Sequence, residues 1–422
     1  MTTLRFLFAG NTNCMPFRYA REIKRQGHDV LFIIDQPRSL PLHRPEALFP
    51  EIPYPYPDWI LELGWTPRNT TFLLPDKRLS RLLELVNQQT FDAVVLCGYW
   101  IRIAGRIDHG PELIALLAGS DLDVLTDRRA ALLGRHAWNP IKDLASRLML
   151  FWGAEAQRQG LRRAGLVNYY PEGINPEGDR LLKEVMGRRP YARLQTRGLS
   201  VDLVPYSEPS DRRGNAVRLF SPTRFLWRQP LPAGFSALEN KGNDVMLHGI
   251  ARFVRQSGIE PRIDLVEKGP DVAATKDLAE RLGISPLITW HAEMSYNELF
   301  QLMRDADIVF DQFGPHWLGA GAADAMLMGR AVIGNGRPEI FTPLLGEPLA
   351  LCHATDESGV AEWLRLLVDD PEERHRRGLL GRDCIERNLN SVDTASALIR
   401  HVRQRAAARR GPGDDRSDRV RA

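Results

Sequence analysis

Seven lysines stand among the 56 basic residues of this chain, and Lys241 and Lys268 both fall in glycine-bearing turns of its second half. A chain that otherwise uses arginine as its cation keeps a compact point charge at these two places. Their polar company follows an order. Arg224 lies in SPTRFLW and Lys241 in ENKGND; then come Glu267-Lys268-Gly269, Trp290-His291, Asp311-Gln312 and Asp324. Each falls at the end of an expected strand or at a helix start. Singly, such residues are surface charges. Jointly, a cation pair, Arg224 and Lys241, beside a helix N-terminus at Gly319-Ala320-Gly321 is what a departing diphosphate needs. Charge builds on the leaving oxygen, and preorganised donors stabilise it.

The elements that must position these residues centre on Ala306 to Glu339. Asp307 to Phe310 is short, apolar and β-branched, as a buried parallel strand requires. Asp311 to Gly321 is a polar, glycine-bearing turn. Ala322 to Met328 is rich in helix formers, Gly329 sits where a helix ends in a left-handed residue, and Ala331 to Ile333 opens the next strand. Two readings stand here. Amides at such a helix start have no internal partner and favour an anion, with Asp324 one turn on within reach of a ribose hydroxyl; or the stretch is an ordinary βαβ unit. Around it strands and helices alternate: strand Val217–Phe220, helix Gly242–Val254, strand Ile263–Glu267, helix Val272–Leu282, strand Ile288–Trp290, and a helix opened by a Ser295/Glu298 capping box.

The first half shows the same alternation. Leu4–Ala9 is a strand, Phe17–Gln26 a helix, Asp29–Ile34 a strand and Ala93–Cys97 another. The loop after the first strand lacks G-x-G-x-x-G, which argues against a dinucleotide. It still lies where open α/β sheets bind ligands, so Gly10 and Asn11 are candidates to line a cleft. Pro37–Pro75 reads as an irregular excursion and Leu113–Leu117 as a short helix, followed by the loop Gly119-Ser120-Asp121. Ala130–Gly160 reads as an amphipathic helix burying Leu144, Leu148 and Phe151. Val167–Tyr170 is the expected last strand of the first domain, and Val201–Gly214 the linker. The domains are therefore 1–205, 206–390, and a C-terminal helix with a disordered basic tail over 391–422. The fold class is α/β, with two Rossmann-like doubly wound domains facing a cleft.

Composition bounds the rest. Of 422 residues, 43% are hydrophobic and 26% charged, enough for two cores; the net charge of +3 leaves no nucleic-acid footprint. Cys14, Cys97, Cys352 and Cys384 form no metal or disulfide spacing. No signal peptide or membrane span is expected, so a cytoplasmic protein is; a weak peripheral contact of the arginine-rich tail with an anionic membrane is a secondary expectation.

SPTRF, NKGND, EKG-D, W-H-MS-EL and ADIVFDQFG followed by DAMLMGRAVI resemble, in that order, the nucleotide-sugar half of GT-B glycosyltransferases of the large retaining group called family four. The resemblance covers about Val217 to Arg387. It implies that Arg224 and Lys241 bind the donor diphosphate and act in catalysis. It implies that Gly319, Ala320 and Gly321 cradle phosphate, that Asp324 holds the donor ribose, and that the loop around His291 lies near the base. Glu267, Lys268, Gln312 and His316 complete the donor side. Gly10, Asn11, Ser120 and Asp121 form the acceptor side. The chain departs from the family in two acids: Asp324 replaces the usual Glu, and His316 stands eight residues earlier in place of the other. Ala118 replaces a His of many members; His109 or His136 are the alternatives.

The expected activity is transfer of a sugar from a nucleotide-diphosphate-sugar to a hydroxyl of a glycan, lipid or small molecule, with retention. No cofactor is expected, the nucleotide-sugar being a substrate, and no metal. Asp121-Leu122-Asp123 has the bare Asp-x-Asp spacing in an unsuitable context. The alternatives are a nucleotide-sugar epimerase of the same fold, a non-catalytic nucleotide-sugar-binding module and, third, a dinucleotide oxidoreductase.

Overall fold

The computed structural model describes residues 2–35, 44–65, 77–133, 140–195, 198–232, 237–316 and 318–410. His136 and the tail beyond 410 lie outside them. The chain falls into two compact units. The first comprises Met1–Tyr170, Pro176–Gly198 and Ser391–Ala422; the second comprises Pro171–Asn175 and Leu199–Asn390.

The first unit holds a parallel seven-stranded sheet built from β1 (Arg5–Ala9), β2 (Asp29–Ile34), β3 (Ile60–Glu62), β4 (Ala93–Cys97), β5 (Glu112–Leu116), β6 (Leu166–Asn168) and β7 (Ala192–Leu194). Their order is 3-2-1-4-5-6-7. The second unit holds β8 (Arg218–Ser221), β9 (Arg262–Val266), β10 (Ile288–His291), β11 (Ile308–Phe310), β12 (Ala331–Gly334) and β13 (Cys352–His353), all parallel, in the order 10-9-8-11-12-13. Strand order reverses between β1 and β4 in one sheet and between β8 and β11 in the other. Chains leave such a point in opposite directions and open a crevice at the strands' carboxyl ends. The central strands are apolar because helices cover both faces: Leu219, Ile308, Phe310 and Ile333 are all fully buried.

Four expectations are corrected. Leu113–Leu117 is not a helix but strand β5, paired with β4 and β6. Its helix formers are overruled by burial on both sides. Pro37–Pro75 is not wholly irregular. Within its described part a turn of helix, Pro45–Leu48, precedes β3, which pairs with β2, and Phe17 stacks on Trp59. β6 is not the last strand of its sheet, since β7 pairs beyond it. The helix Pro140–Arg163 buries its C-terminal half, but Leu144 and Leu148 are 60% and 47% exposed, so that face is not core.

Where a linker was expected, Arg330 donates to the Ser207 carbonyl (2.9 Å), and Arg374 to those of Ser210 and Arg212 (2.8 Å each). Two buried guanidinium groups thus fasten 207–212 to the second unit.

Candidate functional site

The loops that leave β8 and β11 flank the second sheet's reversal point, and the main cluster of expected residues lies on them. Arg224 follows β8 and donates to Glu239 Oε1 at 2.8 Å; both side chains are about one-third exposed. Lys241 precedes the helix Asn243–Ser257. Its backbone is locked on both sides: its N–H donates to the Leu226 carbonyl (2.7 Å), and its carbonyl accepts from the Phe313 N–H (2.8 Å). Its Nζ donates to Gln312 Oε1 at 2.7 Å. The segments bearing Arg224, Lys241 and Gln312 therefore interlock by main-chain bonds before any ligand is considered. Gly314 is required for this closeness, since a Cβ there would lie 1.9 Å from the Asn240 carbonyl oxygen.

Burial pushes the Lys241 ammonium down to about 8, and the Arg224 guanidinium acts in the same direction; Asp311 and Glu239 oppose them. Arg224 thus lies within electrostatic reach of Lys241, and Glu239 and Asp311 offset the two cations. Asp311, just after β11, is buried. Burial pushes its carboxyl up to about 6, against the amides of Gly319 and Gln312 and the charge of Lys241.

The helix Ala320–Leu327 begins at this cluster, but one amide is already engaged. The Gly319 N–H donates to Asp311 Oδ2 at 3.0 Å and Oδ1 at 3.2 Å. Of the three expected cradle residues, Ala320 and Gly321 keep their amides at the helix start, and Gly321 rests on Pro222. Asp324 follows in the same helix, 3% exposed. His316 is half-buried in the loop three residues before Gly319.

The other donor-side residues lie one and two strands away. Glu267 accepts from Lys276 Nζ at 2.7 Å, and Lys276 covers the Trp290 ring. The Lys268 carbonyl accepts from the Phe225 N–H (2.7 Å), tying this loop to the neighbour of Arg224, and its ammonium lies 3.6 Å from Glu293. His291 Nε2 is 2.7 Å from Asp264 Oδ1. Asp264 is in register with Thr289, so the imidazole is held back along the sheet. What His291 offers at the strand end is its carbonyl, which accepts from the Glu267 N–H.

In the first unit, Gly10 ends β1 against the Cys97 carbonyl and Trp100. Asn11 is 1% exposed, and its Oδ1 accepts from the Phe17 N–H at 3.3 Å, so it organises the start of the helix Met15–Arg25 rather than lining a surface. Asp121, in the turn Ser120–Asp123, is equally inward. Its carboxylate accepts from the amides of Ala118 (2.8 Å), Gly119 (2.9 Å) and Gly98 (3.4 Å). It ties the loop after β4 to the loop after β5. Ser120 lies in the same turn. His109 precedes β5, at the amino end of the strand, so it cannot join the loop at the carboxyl end.

Sequence reasoning counted Asp311 in the polar series but gave it no role, and it passed over Glu239. Asp311 carried a signal, since it ends a strand eight residues before a glycine; Glu239 carried none beyond lying two residues before Lys241.

No family model matches the chain, and no curated protein matches its sequence. Solved structures do. Sucrose-phosphate synthase from Thermosynechococcus elongatus is 13% identical with a TM-score of 0.59, over 96% of this chain and 100% of that one. HepE from Anabaena in complex with UDP and glucose is 13% identical with a TM-score of 0.60, over 95% and 100%. A glycosyltransferase from Rickettsia africae is 12% identical with a TM-score of 0.61, over 95% and 99%. The chain has the fold of these proteins, two parallel-sheet domains of the GT-B kind.

Proposed function

We propose that this chain is a glycosyltransferase that moves a sugar from a nucleotide-diphosphate-sugar to an acceptor hydroxyl. The observation that carries the reading is the interlock of the loops bearing Arg224, Lys241 and Gln312 beside the start of the helix Ala320–Leu327, at the reversal point of the second sheet. A diphosphate needs dispersed positive charge and aimed N–H donors, and this cluster offers both. HepE is described in complex with UDP-glucose, which supports a uridine diphosphate hexose as the first donor to try.

In the proposed reaction the bond from the anomeric carbon to the diphosphate oxygen breaks. A bond from that carbon to the acceptor oxygen forms on the same face, and the acceptor proton leaves with the diphosphate. Retention follows the family resemblance. Arg224 and Lys241 take up the charge of the leaving group, so turnover should persist in a chelator. Gln312 holds the ammonium, while Glu267, Lys268 and the backbone at His291 serve the base side. His316 and Asp324 are assigned to the sugar and ribose, and Gly10, Asn11, Ser120 and Asp121 shape the acceptor side. The acceptor class, glycan, lipid or small molecule, belongs to the proposal, as does the absence of a cofactor. Among the described residues no helix is long and apolar enough to cross a membrane.

The test is release of nucleoside diphosphate from a panel of nucleotide-sugars, with and without hydroxyl acceptors, in EDTA. Acceptor-dependent release with a glycosylated product supports the reading. Donor conversion without any acceptor makes the chain an epimerase. Binding without turnover makes it a binding module, the outcome that His316 and Asp324, standing in place of the family's two acids, would explain.

A further inference from the structure

A carboxylate beside a phosphate site is a puzzle, because its charge opposes the ligand. Asp311 is such a group. It lies at the reversal point with 3% of its surface exposed, and both its oxygens face the Gly319 amide. Its own N–H is engaged with the Ile333 carbonyl at 2.9 Å, so the backbone cannot swing the carboxyl away. Gly334 of β12 packs against its Cβ, and a Cβ on Gly319 would lie 2.3 Å from Oδ1. The site is therefore shaped around this carboxyl from two sides.

We infer that Asp311 is a positioning residue of the diphosphate site: it draws the Gly319 amide inward, fixing where the amides of Ala320 and Gly321 point, and it sets a carboxylate next to Gln312, the residue that holds the Lys241 ammonium. The inference rests on the reading above and deepens it. Of the charged groups, Lys241 acts on Asp311 electrostatically, and Arg224 and Glu239 act on Lys241; Asp324 lies one turn into the helix that Gly319 opens. The β12 side presents Ile333 and Gly334, and the helix side its amides. Removing the Asp311 charge removes a support of the ammonium, while burial and Arg224 still oppose it. Lys241 then loses its proton at a lower pH, and with it the ligand.

The experiment is calorimetric titration of UDP, and of GDP in parallel, into the whole protein between pH 6 and 9, for the wild type and for Asp311→Asn. The ligand's own titration is common to both proteins and cancels in the comparison. Asp311→Asn should bind roughly tenfold more weakly at neutral pH, and its loss of affinity on the alkaline side should begin at lower pH than in the wild type. A merely structural role would weaken binding equally at every pH. Gly319→Ala separates the two effects, since it displaces the carboxylate from the amide but keeps its charge. It should lower affinity without moving the alkaline limb, and it serves where Asp311→Asn does not fold. An Asp311→Asn profile that overlays the wild type, or a Gly319→Ala protein of unchanged affinity, overturns the inference while leaving the proposed function standing. A wild type that binds neither nucleotide overturns both.

Discussion

At the scale of single residues, the site is a balance of opposed charges. Glu239 holds the guanidinium that the diphosphate would need, through a pair about one-third exposed. Such a pair contributes about 0.2–1 kcal/mol. Glu239→Gln should thus release Arg224 and tighten nucleoside diphosphate binding by about 1.4- to fivefold; weaker binding in that variant would mean that Glu239 itself serves the ligand. Asp311 gives a stability signature. Its folded pKa, about 6, lies above that of an exposed aspartate, about 3.9. Its contribution to stability is then complete below about pH 4 and lost as pH rises through about 6. Urea titrations of wild type and Asp311→Asn across pH 4–7 should differ by that fall, and parallel curves would contradict it. Lysine is rare here, and Lys241 falls at a helix start and Lys268 at a strand end, which is why these cations were legible in the sequence. The inward turn of Asn11, Asp121 and His291 was not, because residue type does not say which side of a loop a side chain takes.

At the scale of elements, strands buried on both faces were read with little error, and β2 and β4 match their expected bounds. The Ser295 capping box forms as expected, with Ser295 Oγ accepting from the Glu298 N–H and the Glu298 carboxylate from the Ser295 N–H. β5 failed because ELIAL has no periodicity that separates a short buried strand from a helix. The stripe of the Pro140–Arg163 helix failed for the opposite reason: its period is helical, but an apolar face does not reveal what it packs on. The interlocked loops of the site make a test. Gly314→Ala places a carbon where the Asn240 carbonyl stands. It should cost about 1–3 kcal/mol in chemical denaturation and should weaken nucleotide binding with it; an unperturbed variant would show that the two loops are not coupled.

At the scale of the whole molecule, alternation of strand and helix foretold two parallel sheets, and the GT-B fold is what the solved structures share with this chain. Strand order was beyond the sequence, and it is strand order that sets Arg224 and Gln312 on either side of one reversal point. The role of the last helix was also hidden. Ser391–Arg410 belongs to the first unit, where His401 (2.9 Å), Arg405 (3.3 Å) and Arg409 (2.9 Å) converge on the buried Glu112. Burial pushes its carboxyl up, and His401 and Arg405 more than offset this, holding it below the usual range. Glu112→Ala should therefore destabilise the first unit by about 2–4 kcal/mol in urea unfolding. The account as a whole turns on whether the second sheet's reversal point binds a diphosphate. Calorimetric titration of UDP and GDP into the wild type and Lys241→Ala asks this directly: binding that falls at least tenfold in the variant is the predicted result, and equal binding by both proteins, or binding of NAD(P) alone, would contradict it.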